Sequence, residues 1–209
     1  MFPISRQVSI FLLVSAHIAG FLGLQWHVTR AWFEWLVPFN LVLTAFVLFS
    51  AHQDWSWRFG VFSLVAGLGG FLLEVAGVAT KMIFGDYWYE TSLGFQLWRV
   101  PLTIALNWWV LLYVCGVIAE QTRLAVLPKI LIGASLMTFL DYWIEPVAMR
   151  FHFWNWAGGV VPLQNYVAWF VASCLLLGVF YSLQFRKQNA LAYWVYGAQL
   201  AFFVAHNLF

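Results

Sequence analysis

Residues 136–146 read Leu-Met-Thr-Phe-Leu-Asp141-Tyr-Trp-Ile-Glu145-Pro146, so two carboxylic acids lie inside an otherwise apolar stretch. They are four residues apart, which places both side chains on one face of a helix. A third acid, Glu74, lies in another apolar stretch, residues 59–80. A charged side chain at the centre of a bilayer costs at least ~2.5–3.5 kcal/mol, so acids at that depth are by default functional candidates.

The composition indicates an integral membrane protein. The chain has 209 residues, of which 64% are hydrophobic and 9% charged, and its mean hydropathy is +0.83. A helix needs about 20 mainly apolar residues to cross a bilayer. The predicted fold class is an all-α, polytopic membrane helix bundle of about seven transmembrane helices, forming a single domain over residues 1–209. The predicted spans are residues 7–25, 33–51, 59–80, 100–119, 127–148, 162–184 and 190–208. The first apolar run is not followed by a small-residue cleavage site, so we expect it to be retained as a helix.

The basic residues between the spans predict the orientation. Six lie at one end of the predicted bundle: Arg6, Arg58, Arg123, Lys129, Arg186 and Lys187. Four lie at the other end: Arg30, Lys81, Arg99 and Arg150. Since cytoplasmic loops carry more Lys and Arg, this distribution predicts a cytoplasmic N-terminus. The net charge is +2 and there is no basic run, which argues against a nucleic-acid partner.

The intramembrane acids are predicted to lie in one layer. The spans that contain Glu74, Asp141 and Glu145 all run toward the end of the bundle marked by Arg150. At ~1.5 Å rise per residue, these acids lie roughly 8–14 Å inside that end. Asn107 and Asn165, near the start of two other spans, are expected at the same end. The prediction does not depend on which way the protein is inserted.

Asp141 and Glu145 cannot both be ionised cheaply in a medium of low dielectric. The pair therefore predicts a neutral acid beside a charged base, the arrangement that general acid–base chemistry requires. The structural alternative is that these acids, like Glu74, only form hydrogen bonds to neighbouring helices.

A second candidate element is the aromatic segment of residues 84–94, which Gly85 and Gly94 bracket. As a lid over an apolar cavity, it would bring Asp86, Tyr87 and Tyr89 over the layer of acids. The alternative is an interfacial turn with its aromatic rings at headgroup depth. The five histidines show no metal-binding spacing, so we expect no metal and no other cofactor.

Two groups of motifs occur in order along the chain. The first comprises Leu73-Glu74-Val-Ala-Gly77-Val-Ala-Thr80, Phe84-Gly85-x-Tyr87-x-Tyr89, Leu93-Gly94, and Val100-Pro101 with Asn107-Trp108. The second comprises Asp141-x-x-x-Glu145-Pro146, Trp154-x-Trp156 and Val161-Pro162-Leu-Gln-Asn165-Tyr-x-x-Trp169. Together they resemble the membrane carotenoid hydratases, which include the γ-carotene hydratases of bacteria and the bisanhydrobacterioruberin hydratase of haloarchaea. The resemblance covers residues 60–175, and the chain is also distantly similar to the small membrane lycopene cyclases.

The resemblance implies a hydro-lyase that adds water across the terminal C1–C2 double bond of an acyclic ψ end group, as in lycopene or γ-carotene. Protonation at C-2 would give a tertiary cation at C-1, and water would capture that cation. The proton donor would be Asp141 or Glu145, and Glu74 or the remaining acid would position the water. The other expected site residues are the water holders Asn107 and Asn165, the cation-stabilising rings of Trp108, Trp143 and Trp156, and Tyr87, Tyr89 and Arg99 at the loop.

The resemblance also implies an environment and partners. It places the protein in a bacterial or archaeal cytoplasmic membrane, with an acyclic or monocyclic carotenoid as substrate. Other enzymes of the carotenoid pathway and a second copy of the chain are further candidate partners. Three alternatives stay open: a lycopene cyclase, which makes the same first cation; a proton-coupled transporter or channel; and a non-catalytic carotenoid-binding protein. A retinal photoreceptor is excluded because residues 190–209 contain no lysine for a Schiff base.

Overall fold

The computed structural model describes residues 5–209 and forms an all-α bundle of seven helices in that range. Each predicted span coincides with one helix, and the bounds differ by at most three residues. The helices are α1 (Arg6–Gln25), α2 (Arg30–Ala51), α3 (Trp57–Thr80), α4 (Thr103–Glu120), α5 (Val126–Arg150), α6 (Leu163–Ser182) and α7 (Ala192–Leu208). The predicted fold class is confirmed.

Six of these helices, α1 to α6, are long and apolar enough to cross a membrane. The remaining helix, α7, has 17 residues, which at ~1.5 Å rise per residue is shorter than a ~30 Å hydrocarbon core. It packs beside α1, α4 and α5. The chain is therefore a multi-pass membrane protein, and the seventh predicted span is a shorter helix within the same bundle.

The central helix is α4, which contacts α2, α3, α5, α6 and α7. Every residue from Trp108 to Val117 is buried. This stretch has almost no polar side chain, and a helix that is apolar on all faces is expected to be surrounded by other helices. The first turn of α4 differs from the prediction, because Pro101 lies before the helix. It pairs with Gln96 in a short antiparallel ladder between β2 (Gln96–Leu97) and β3 (Val100–Pro101).

A second two-stranded ladder covers the end of the bundle that contains Arg150. Strand β1 (Tyr87–Tyr89) follows α3, and strand β4 (Trp154–Trp156) follows α5. They pair antiparallel, with Tyr87 opposite Trp156 and Tyr89 opposite Trp154. Because side chains alternate along a strand, these four rings share one face and Trp88 points the other way. We call this pair of strands the aromatic cap.

Candidate active site

The aromatic cap and the ends of four helices enclose a small cavity. Its volume is about 20 Å³. A cavity needs roughly 10–15 Å³ to hold one water, so this one has room for a single water molecule. The lining residues are Glu74, Phe84, Tyr87, Tyr89, Ile104, Asn107, Trp108, Asp141, Glu145, Trp154, Trp156, Asn165 and Trp169.

Glu74 is buried in α3 and accepts hydrogen bonds from three side chains. The Tyr87 and Tyr89 hydroxyls donate to Oε2 at 2.5 and 2.9 Å, respectively. The Trp108 indole donates to Oε1 at 3.0 Å. Burial is the main cause that raises the pKa of both tyrosines, and the nearby Glu74 charge adds to it. The two phenols therefore keep their protons at neutral pH and act as donors.

Glu145 is buried in α5 and is also surrounded by three donors. Trp154 and Trp156 donate their indole N–H groups to Oε2 at 2.9 and 2.6 Å. Asn165 donates from Nδ2 to Oε1 at 3.3 Å. The aromatic cap thus supplies four of the six donors to Glu74 and Glu145, two from β1 and two from β4.

Asp141 has a different environment from the two glutamates. It lies one helical turn before Glu145 on the same face of α5 and is 2% exposed. Within residues 5–209 its carboxyl accepts one hydrogen bond, from Asn165 Nδ2 to Oδ2 at 2.9 Å. The Asn165 amide therefore bridges Asp141 and Glu145. Donors stabilise the charged form of a carboxyl group, so Asp141 is the acid with the least support for a charge.

Small residues bring α3 close to its neighbours on both sides of Glu74. A Cβ atom at Gly70 would lie 2.2 Å from Cγ of Trp108. At Gly77 it would lie 2.6 Å from Cδ2 of Phe84 and 3.0 Å from the Tyr87 hydroxyl oxygen. The two glycines are seven residues apart, which places them on roughly one face of α3, and small residues of this kind let membrane helices approach closely.

The structure brings most of the predicted site residues into one cavity. These are Glu74, Asp141, Glu145, Asn107, Asn165, Tyr87, Tyr89, Trp108 and Trp156. The indoles of Trp108 and Trp156 donate to carboxylates, a contact that the sequence did not predict. Within residues 5–209 the Asn107 amide has no hydrogen-bond partner, and it lines the cavity.

Three residues that were expected at the site do not line this cavity. Trp143 lies two residues from each acid of α5, so helical geometry turns its side chain away from both, and it does not line the cavity. Arg99 is exposed in the turn between β2 and β3, with φ +67°. Asp86 pairs with Lys81 at 2.8 Å on the surface instead of facing the acids.

Four lining residues had been given no role: Trp154, Trp169, Phe84 and Ile104. Two of them had a signal in the sequence. Trp154 precedes Trp156 by two residues, which is the spacing of one strand face. Trp169 follows Asn165 by four residues, which is the spacing of one helix face. Its ring stacks on that of Trp108, with centroids 4.1 Å apart and an interplanar angle of 7°.

The chain that forms this cavity also matches a known protein family. The family described as carotenoid biosynthesis protein matches residues 35–209. The chain belongs to this family. The match extends on both sides of residues 60–175, and it includes all of the residues that line the cavity. No curated protein and no solved structure matches the chain. Membership of the carotenoid biosynthesis family supports a role of this membrane protein in carotenoid biosynthesis.

Proposed function

We propose that this protein is a carotenoid hydratase that adds water to the C1–C2 double bond of an acyclic ψ end group. The product would be a tertiary 1-hydroxy carotenoid. The observation that carries the proposal is the cavity itself. It brings three carboxyl groups and two amides around a space for one water, within a family of carotenoid biosynthesis proteins.

Asp141 is the proposed proton donor. An alkene is a very weak base, so the donor must be a neutral acid that is shielded from bulk water. Asp141 is buried and accepts one hydrogen bond, whereas each of the two glutamates accepts several. Transfer of its proton to C-2 would leave a tertiary cation at C-1.

Glu145 is the proposed base for the water. As the water oxygen forms its bond to C-1, one water proton would pass to Glu145. The Asn165 amide, bonded to both acids of α5, holds them close enough for that proton to return to Asp141. The net change is the addition of one water, and no other reactant is consumed. Glu74, on the opposite wall, would supply a second negative charge that stabilises the cation.

The size of the cavity adds a requirement. A space of about 20 Å³ holds one water but no terminal isoprene unit. The carotenoid end therefore has to displace aromatic side chains that line the cavity. The aromatic cap is the element most suited to move, since it joins the helices through two short strands and hydrogen bonds.

A membrane lycopene cyclase is the second candidate, because it would form the same first cation. The polar lining of the cavity favours water capture over attack by an internal alkene. A transporter is less well supported, since the buried acids lie in one layer instead of forming a series of steps across the membrane.

The experiment is pigment analysis of cells that make lycopene or γ-carotene, with and without this protein. A product that is more polar and heavier by one water would support the hydratase. A product of unchanged mass with a shorter chromophore would instead indicate a cyclase. Unaltered pigment that copurifies with the protein would contradict both enzymatic proposals and favour a binding protein.

A further inference from the structure

A larger cavity lies at the end of the bundle opposite to the acids. It opens where α1 and α7 begin and where α2 and α4 end, and we call this the Arg6 end. Its volume is about 840 Å³, within the usual range of ligand sites of roughly 300–1,000 Å³. Its polar lining includes Arg6, Ser9, Gln121, Arg186, Gln188 and Asn189.

The charge in this cavity is positive. Arg6 and Arg186 line it, and none of its lining residues is acidic. Within residues 5–209 neither guanidinium forms a salt bridge; Arg186 donates from Nε to the Gln188 side chain at 3.1 Å. A nearby carboxylate, Asp54, accepts from the backbone N–H groups of Ser56 and Arg186. The two guanidinium groups therefore keep donors for an anionic ligand.

Ser9, another residue that lines the cavity, has a buried hydroxyl without a partner. Ser9 is 1% exposed, and its Oγ has no hydrogen-bond partner within residues 5–209. A buried polar atom without a partner costs free energy unless a ligand or water satisfies it. Arginine and hydroxyl side chains together are the donors that bind phosphate in many proteins. The Asn189 side chain, in contrast, already has hydrogen-bond partners. Its Nδ2 donates to the Leu48 carbonyl and the Tyr113 hydroxyl, and its Oδ1 accepts from the Leu191 amide.

The residues around the cavity are typical of the headgroup layer of a membrane. Trp55, Trp57 and Tyr193 are more than half exposed at the Arg6 end, as expected for aromatic side chains at a membrane interface. This end also carries six of the ten basic residues and is the expected cytoplasmic face. Anionic lipids are enriched in that leaflet, and basic pockets between helices bind their headgroups.

We propose that this cavity binds a phosphate group, supplied by an anionic phospholipid, through Arg6, Arg186 and Ser9. The site is separate from the acids and does not depend on the proposed reaction. A free phosphate ion has the same chemistry and is distinguished by the experiment.

The test uses the full chain in detergent, with phosphatidylglycerol added and bound lipid counted by native mass spectrometry. Phosphatidylcholine serves as the neutral comparison. The double variant Arg6→Gln with Arg186→Gln should weaken phosphatidylglycerol binding about tenfold or more, because two charge-assisted contacts are lost. Ser9→Ala, which keeps the charge, should weaken it about threefold to tenfold.

The matched control is Arg58→Gln with Arg123→Gln, which removes the same charge at the same end. Both residues are exposed and do not line the cavity. This pair should change binding by less than about twofold. Equal loss in the two double variants, or no loss in either, would overturn the proposal. Displacement of the lipid by inorganic phosphate would assign the free ion as a ligand, and retention would assign the lipid.

Discussion

Asp141 differs from Glu74 and Glu145 in the donors around it. Both glutamates accept hydrogen bonds from phenol or indole groups that stay protonated at neutral pH, and these bonds stabilise a carboxylate. Asp141 shares one amide with Glu145. At the scale of single residues, these contacts support the proposed roles: Asp141 as the proton donor, Glu145 as the base and Glu74 as the charge that stabilises the cation.

The first prediction concerns that donor. Asp141→Asn keeps the shape of the side chain but removes the acidic proton, so hydration should fall at least about a hundredfold while expression is unchanged. The measurement is the yield of hydroxylated carotenoid per amount of membrane-inserted protein. Asp86→Asn, at the exposed pair with Lys81, is the control and should leave the yield unchanged. Retained activity in Asp141→Asn would remove Asp141 from the mechanism.

Tyr87→Phe tests the support of Glu74. The change deletes one hydroxyl, and with it the 2.5 Å hydrogen bond to a buried carboxylate. We expect a loss of about 1.5–3 kcal/mol, seen as a turnover roughly ten- to a hundredfold lower, because a bond to a charged group is lost. Tyr193→Phe, at an exposed tyrosine outside this cavity, should have no effect. Equal turnover in the two variants would show that the Tyr87 bond to Glu74 plays no part in the reaction.

At the scale of elements, α3 approaches α4 at Gly70, where the Trp108 ring occupies the place of a side chain. The contact places the Trp108 indole in reach of Glu74. Gly77 likewise leaves room for the segment that leads into β1, because Phe84 and Tyr87 pack against it. The position of Glu74 among its hydrogen-bond donors therefore depends on Gly70 and Gly77 having no side chain.

Gly70→Ala should destabilise the bundle. The added Cβ would lie 2.2 Å from Trp108 Cγ, so α3 and α4 must separate, at a cost of about 1–3 kcal/mol. The measurement is the thermal unfolding midpoint in detergent. Gly60→Ala, in the same helix with no atom within 4 Å of the new Cβ, should leave the midpoint unchanged or raise it slightly. Equal midpoints for the two variants would contradict the packing account.

The elements also show what the sequence could predict. Hydropathy located all seven helices, because a lipid-exposed or deeply buried helix needs a long apolar run. The spacing of Asp141 and Glu145 predicted their shared face. The pairing of β1 with β4 had no local signal, since 64 residues separate Tyr89 from Trp154 outside the paired segments. Without that pairing, the indoles of Trp154 and Trp156 could not be assigned to Glu145.

Trp143 shows a different limit of predicting site residues from the sequence. An aromatic residue between two acids was expected to face the same cavity, but helical geometry turns it away from both. Arg99 was expected at the site because it flanks the aromatic loop, yet the β2–β3 turn directs it outward. The side-chain periodicity of a helix or strand therefore predicts which residues face the cavity better than their proximity along the chain does.

At the scale of the whole molecule, the two ends of the bundle are chemically different. The Arg150 end contains the acids and the aromatic cap, and the Arg6 end contains the basic cavity. The distribution of Lys and Arg predicts that the Arg6 end faces the cytoplasm.

Single cysteines would test this orientation. Gln188→Cys, at the Arg6 end, should be protected from a membrane-impermeant thiol reagent in intact cells and labelled after lysis. Thr91→Cys, exposed near the aromatic cap, should be labelled in intact cells. The native Cys115 and Cys174 lie in α4 and α6, so the unmodified chain gives the background. The reverse labelling pattern would invert the assignment.

The most direct measurement uses purified protein in lipid vesicles with lycopene, in water labelled with deuterium and heavy oxygen. If Asp141 protonates C-2 and water captures the cation, the product will carry one deuterium and one heavy oxygen for each hydrated end. Asp141→Asn should lower the yield of labelled product at least about a hundredfold. A product that gains deuterium without heavy oxygen, or that gains neither, would contradict the assignment of this protein as a hydratase.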